Sequence, residues 1–120
     1  ETSYQGLDKI LNKIAKSGKG SFLAVLKLFG EANDNWLSFP MKGYTLSLDF
    51  KVEPAVFTLF DELDKIVLDH GGRFYLAKDA RISREKFEAG YANIEKFRAL
   101  RDSQRMRQKF NSLQSKRVSI

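Results

Sequence analysis

Tyr44, Leu46, Leu48, Phe50 and Val52 alternate with Thr45, Ser47, Asp49 and Lys51, a period of two that gives one extended segment an apolar face and a polar face. No other stretch constrains the fold as tightly. Pro54 then stands where a helix starts, since the first helical turn needs no N–H from that position. Val56, Leu59, Phe60, Leu63 and Val67 follow at helical spacing, the buried stripe of a helix running to about His70. A one-faced strand feeding a one-faced helix must bury both apolar sides, so the chain predicts a layered fold of helices on sheet.

Upstream, Leu7, Ile10, Leu11 and Ile14 recur at i, i+3, i+4, i+7, with Lys9, Asn12, Lys13 and Lys16 on the other side. That spacing predicts an amphipathic helix over 6–17. Ser17-Gly18-Lys19-Gly20 breaks it, and Phe22 to Phe29 is then nearly all apolar. It is too short for a second helix and reads as a strand buried on both faces. Downstream, Gly71 and Gly72 end the long helix, and Phe74 and Leu76 alternate with Arg73, Tyr75 and Ala77. This reads as a third strand over 72–78, with Lys78 emerging at its end. Ser83 can cap a helix carrying Phe87 and Tyr91, Gly90 interrupts it, and Ile94, Phe97 and Leu100 continue on a further helix. From Ser112 the chain reads as extended.

The expected fold is α+β, a single domain over the 120 residues. The strands at 20–30 and 43–52 pair antiparallel, and the 54–70 helix crosses over right-handed to return the third strand to their sheet. The outcome is a ferredoxin-like antiparallel or mixed sheet with helices on one face, plus C-terminal helices. The polar residues of the second strand line the free face, with Lys78 near its rim.

Composition narrows the chemistry. There is no cysteine, so disulfides and thiolate zinc sites are excluded, which suits a reducing, cytoplasmic compartment. His70 stands alone, and a lone histidine makes no metal site. No apolar run approaches the roughly 20 residues that span a bilayer. The net charge of +6 is concentrated at the end, where Arg101, Arg105, Arg107, Lys109, Lys116 and Arg117 face Asp102 alone. A small basic module that binds nucleic acid or acidic proteins, without catalytic activity, is one reading of that tail. Against nucleic acid, the free face of the second strand offers Thr45, Ser47, Asp49 and Lys51 but no aromatic on which a base can stack.

Gly71-Gly72-Arg73-Phe74-Tyr75-Leu76-Ala77-Lys78-Asp79 resembles the Gly-Gly-Arg-Pro-His-Trp-Gly-Lys segment of FAD-linked sugar and aldonolactone oxidases of the vanillyl-alcohol oxidase type, which include the D-arabinono-1,4-lactone oxidases. The Tyr-x-Ala-Lys-Asp form is closer to the decaprenylphosphoryl-β-D-ribose 2′-oxidase branch. Leu37-Ser38-Phe39-Pro40 through Gly43-Tyr44-Thr45-Leu46-Ser47-Leu48-Asp49-Phe50, and Phe110-Asn111-Ser112-Leu113-Gln114-Ser115-Lys116-Arg117-Val118, are similar to the same branch.

The resemblance implies the C-terminal portion of the substrate (cap) domain of a flavoenzyme acting on CH–OH groups, with the FAD-binding domain upstream in the same polypeptide and the isolated chain inactive. It implies a sugar or lipid-linked sugar as substrate and association with a membrane surface, peripheral to the inner membrane. Lys78 matches the family lysine placed at catalysis and cofactor. Tyr75 stands where the aldonolactone enzymes carry histidine, which leaves a hydrogen-bond donor to substrate in place of a histidine base. Thr45 and Ser47 fall at substrate-binding positions, and Arg117 matches a near-terminal arginine on the cofactor side. Phe110, Leu113 and Val118 are expected to pack the tail on the flavin domain.

Overall fold

The computed structural model describes residues 1–120. In chain order it contains α1 (Thr2–Ser17), β1 (Leu23–Phe29), β2 (Gly43–Asp49), α2 (Pro54–Asp69), a single 3-10 turn at Leu76–Lys78, α3 (Arg84–Gly90), α4 (Ile94–Ser103), α5 (Met106–Lys109) and α6 (Leu113–Arg117). The protein is α+β, as its two periodicities require. The chain divides into two units, one of Glu1–Ala32 with Pro40–Gly72 and one of Asn33–Phe39 with Arg73–Ile120.

In the first unit β1 and β2 pair antiparallel, with Leu26 opposite Leu46 and Val25 opposite Ser47. Directly opposed residues share a face, so Ala24, Leu26 and Leu28 lie with Leu48, Leu46 and Tyr44, while Val25 and Lys27 lie with Ser47 and Thr45. The ring of Tyr44 meets Tyr4 of α1 with centroids 6.4 Å apart, and Phe50 meets Phe60 of α2 at 5.3 Å. The apolar face of β2 is therefore the one turned to the helices. Val56, Leu59 and Leu63 of α2 are buried, and Lys13 of α1 pairs with Glu62 of α2 at 2.7 Å. His70 caps the end of α2, with its Nδ1 2.7 Å from the Ile66 carbonyl oxygen and its Nε2 3.2 Å from Lys9 Nζ.

Two expectations for the sheet are corrected here. β1, read as buried on both faces, is exposed, Leu26 at 52% and Leu28 at 69%. The sheet has two strands, so β1 has a neighbour on one side only. The third strand at 72–78 does not form: Lys78 N–H donates to the Tyr75 carbonyl at 3.1 Å and closes a turn. Phe74 and Leu76 alternate in the sequence because both reach into the core of the second unit, not because they sit in a ladder. The sheet thus has two strands where three were expected.

That second core comprises Ile82, Phe87, Tyr91, Ile94 and Val118, with Leu37, Phe74, Leu76, Phe97 and Ile120 against it. Ser83 caps α3, its Oγ accepting from Lys86 N–H at 3.3 Å. Arg98 is buried, pairs with Glu88 and Glu95, and donates to the carbonyls of Ser119 at 2.8 Å and Val118 at 3.2 Å. Val118, expected to face another domain, is fully enclosed in this core. The tail, read as extended from Ser112, forms α6 instead. Ser112 Oγ accepts from Ser115 N–H at 3.0 Å, and Ser115 Oγ accepts from Ser112 N–H at 2.8 Å. This reciprocal capping box uses serine where the usual pattern has Glu or Gln, which hid it in the sequence.

Candidate functional site

The stretch 73–79 is fixed to the core of its unit from both ends. Arg73 Nη1 donates to the Ser38 carbonyl at 3.1 Å, and its guanidinium carbon lies 5.5 Å from the centre of the Tyr91 ring. Tyr91 in turn donates its hydroxyl to the Phe74 carbonyl at 2.7 Å. Burial pushes the Tyr91 phenol up to about 12, and the nearby Arg73 charge only partly opposes this. The hydroxyl therefore stays protonated and keeps donating. Leu76 points inward, which turns its neighbours outward.

Tyr75 is half exposed, its ring 4.9 Å from that of Phe39. Lys78 ends the 3-10 turn with an exposed side chain. Immediately after it, Asp79 Oδ1 accepts the N–H groups of Arg81 at 2.9 Å and Ile82 at 2.8 Å, and Oδ2 accepts from Arg117 Nη2 at 2.7 Å. Burial pulls the Asp79 carboxyl upward, but the Ile82 and Arg81 N–H groups, the Arg117 charge and Gln114 together hold it below the ordinary range. Gln114 Nε2 donates to the Leu76 carbonyl at 2.6 Å and sits 3.3 Å from the Asp79 carbonyl.

Of the residues singled out from the sequence, Lys78, Tyr75 and Arg117 lie in the second unit, and Thr45 and Ser47 in the first. Thr45 and Ser47 are half-buried on β2, opposite Lys27 and Val25. Arg117, expected at the cofactor, has its guanidinium on Asp79. Sequence reasoning did not pair Asp79 with Arg117 and gave Gln114 no role. Asp79-Ala80-Arg81-Ile82 is a legible Asx turn, whereas nothing local marks Gln114, whose partners lie 38 and 35 residues away. A shallow apolar cleft of about 530 Å³ between Trp36, Leu37, Phe97 and Leu100 includes none of the candidate residues. No helix is long and apolar enough to cross a membrane.

An α+β chain presenting an exposed lysine and tyrosine on a clamped turn is homologous to a stretch of an oxidase. Over 94 residues, 78% of the chain, it is 43% identical to the decaprenylphosphoryl-β-D-ribose oxidase of Mycolicibacterium smegmatis, of which it covers 20%. Over 96 residues, 79% of the chain, it is 38% identical to a protein of Streptomyces coelicolor described as the uncharacterized protein in the mprA 5′ region, of which it covers 26%. The chain spans about a fifth to a quarter of the length of these curated relatives. No protein-family model matches it.

Proposed function

We propose that these residues are the C-terminal part of the substrate domain of an FAD-dependent oxidoreductase, which oxidises a hydroxyl of a polyprenylphosphoryl pentose or a related carbohydrate. The observation that carries the reading is the 43% identity to an oxidase of such a substrate. FAD, when bound, supplies the acceptor for the hydride that leaves the sugar carbon.

The donor set of this chain suits the redox end of a flavin rather than its pyrophosphate. Lys78, an exposed residue, offers an ammonium on a held backbone, and Tyr75 a half-exposed phenol three residues before it. There is no glycine-rich nucleotide loop in the sequence, so the main FAD-binding domain is assigned to polypeptide upstream. The Lys78 ammonium stabilises negative charge that develops beside it, and Tyr75 donates to a substrate oxygen. A lipid-linked substrate brings the protein to a membrane surface, where exposed Lys109 and Lys116 suit anionic headgroups. The nucleic-acid alternative loses ground in the tail itself: Arg101 is buried, Arg107 pairs with Asp102 at 3.0 Å, and Arg117 with Asp79.

The test is the visible spectrum of the protein expressed with its natural upstream sequence, recorded anaerobically before and after adding polyprenylphosphoryl pentose or simple sugars. Flavin bands that bleach with the lipid-linked pentose are expected. Lys78→Ala should retain the flavin and slow its reduction by about 10²–10³-fold, the range for removing one preorganised donor. A protein without flavin would end the reading.

A further inference from the structure

We propose that α6 is a latch that positions Lys78, with Gln114, Arg117 and Asp79 as positioning residues that fix the backbone on both sides of the lysine. The inference rests on the reading of Lys78 as the functional cation. A lysine side chain carries much rotamer freedom, so where its ammonium can reach depends on how firmly its backbone is held. Here the restraint runs from the core outward. Val118, directly after α6, is fully buried, and Arg98 holds the carbonyls of Val118 and Ser119. The Ser112–Ser115 capping box fixes the start of the helix.

From this support Gln114 reaches the Leu76 carbonyl at 2.6 Å, two residues before Lys78, and Arg117 reaches the Asp79 carboxylate at 2.7 Å, one residue after it. The other Asp79 oxygen ties the turn to the start of the α3 segment through Arg81 and Ile82. Lys78 thus sits between two anchor points supplied by one short helix. This gives Arg117 a role through Asp79, where the family resemblance places it on the cofactor.

Two variants of the full-length protein test it, Gln114→Ala and Gln114→Glu, the second keeping the side chain's size while removing the Nε2 donor. Amide hydrogen exchange is the readout that needs no turnover. The N–H groups of Lys78 and Asp79, bonded to Tyr75 and Leu76 carbonyls, should exchange at least tenfold faster, with α3 and α4 amides unchanged. Unchanged exchange at Lys78 and Asp79 in both variants overturns the latch. In the flavin-loaded protein, the reduction rate should fall by about 10- to 100-fold, as small misplacements do, without a change in KM. The same variants should add nothing in a Lys78→Ala background. A full effect persisting without the lysine, or loss of flavin from Arg117→Ala in place of slower reduction, also overturns it. If Lys78→Ala itself leaves reduction unchanged, the functional reading fails while the exchange measurement still decides whether α6 holds the turn.

Discussion

The Tyr91 hydroxyl donates to the Phe74 carbonyl at 2.7 Å and its ring stacks against Phe87 at 4.9 Å, so one side chain joins the candidate turn to the core. Its phenol titrates near about 12 in the folded chain because burial disfavours the phenolate, against about 10 when unfolded. A group whose folded pKa is raised stabilises fully below the unfolded value and loses that contribution as pH rises through the folded one. The chain should therefore hold its Tyr91 contribution to about pH 10 and lose it between about 10 and 12. Tyr91→Phe should cost about 1 kcal/mol at pH 8, the worth of one hydrogen bond, and should flatten the alkaline decline in urea unfolding. An equally steep decline in the variant would assign the effect to another group. Helical spacing made the inward position of Tyr91 legible in the sequence. Its hydroxyl partner was not, because Phe74 lies 17 residues away across a turn that the sequence reads as a strand.

Gly71 and Gly72 end α2 for two different reasons. Gly71 has φ 69 with open space around it, a left-handed conformation that costs a residue with a Cβ roughly 1–2 kcal/mol. Gly72 is not left-handed, but a Cβ there would lie 2.9 Å from the Val67 carbonyl oxygen and 2.8 Å from Val67 Cγ1. The carbonyl cannot yield, since it accepts the Gly72 N–H at 2.8 Å and closes the helix end. Gly72→Ala should thus destabilise more than Gly71→Ala in thermal unfolding, and Gly71→Asn should recover part of the Gly71→Ala loss because asparagine tolerates the left-handed region. The reverse ranking would show that conformation, not space, governs this helix end. Elements with long periodic patterns were legible: α1, α2 and β2 follow from the spacing of their apolar residues, and the β1–β2 pairing from the adjacency of the two strands. Short ones were not. Two alternating residues at Phe74 and Leu76 fit an extended stretch on any apolar layer, and α6 is set by a serine pair rather than by periodicity.

At the scale of the whole molecule, the sequence shows that β1 is apolar on both sides but cannot say what covers it. Phe22, Leu23, Leu26 and Leu28 are all exposed, and β1 has one strand partner. Unpaired edges are normally blunted by charge, proline or a bulge, and within β1 only Lys27 supplies such a charge. A two-stranded sheet is also marginal unless packed against another layer. The 120-residue chain by itself should therefore self-associate through β1, despite a net charge of +6 that opposes association. Light scattering after size exclusion should find oligomers that grow with concentration, and Leu26→Lys, which places a second cation on the strand, should return the chain to monomer. A monomer at every concentration would show that the edge is harmless as it stands. Oligomers unaffected by Leu26→Lys would move the sticky surface elsewhere, to Phe110 and Leu113, which are exposed on the second unit. In the full-length protein the same substitution should instead lower solubility or yield if β1 is covered there, because a lysine at position 26 would then be buried without a partner.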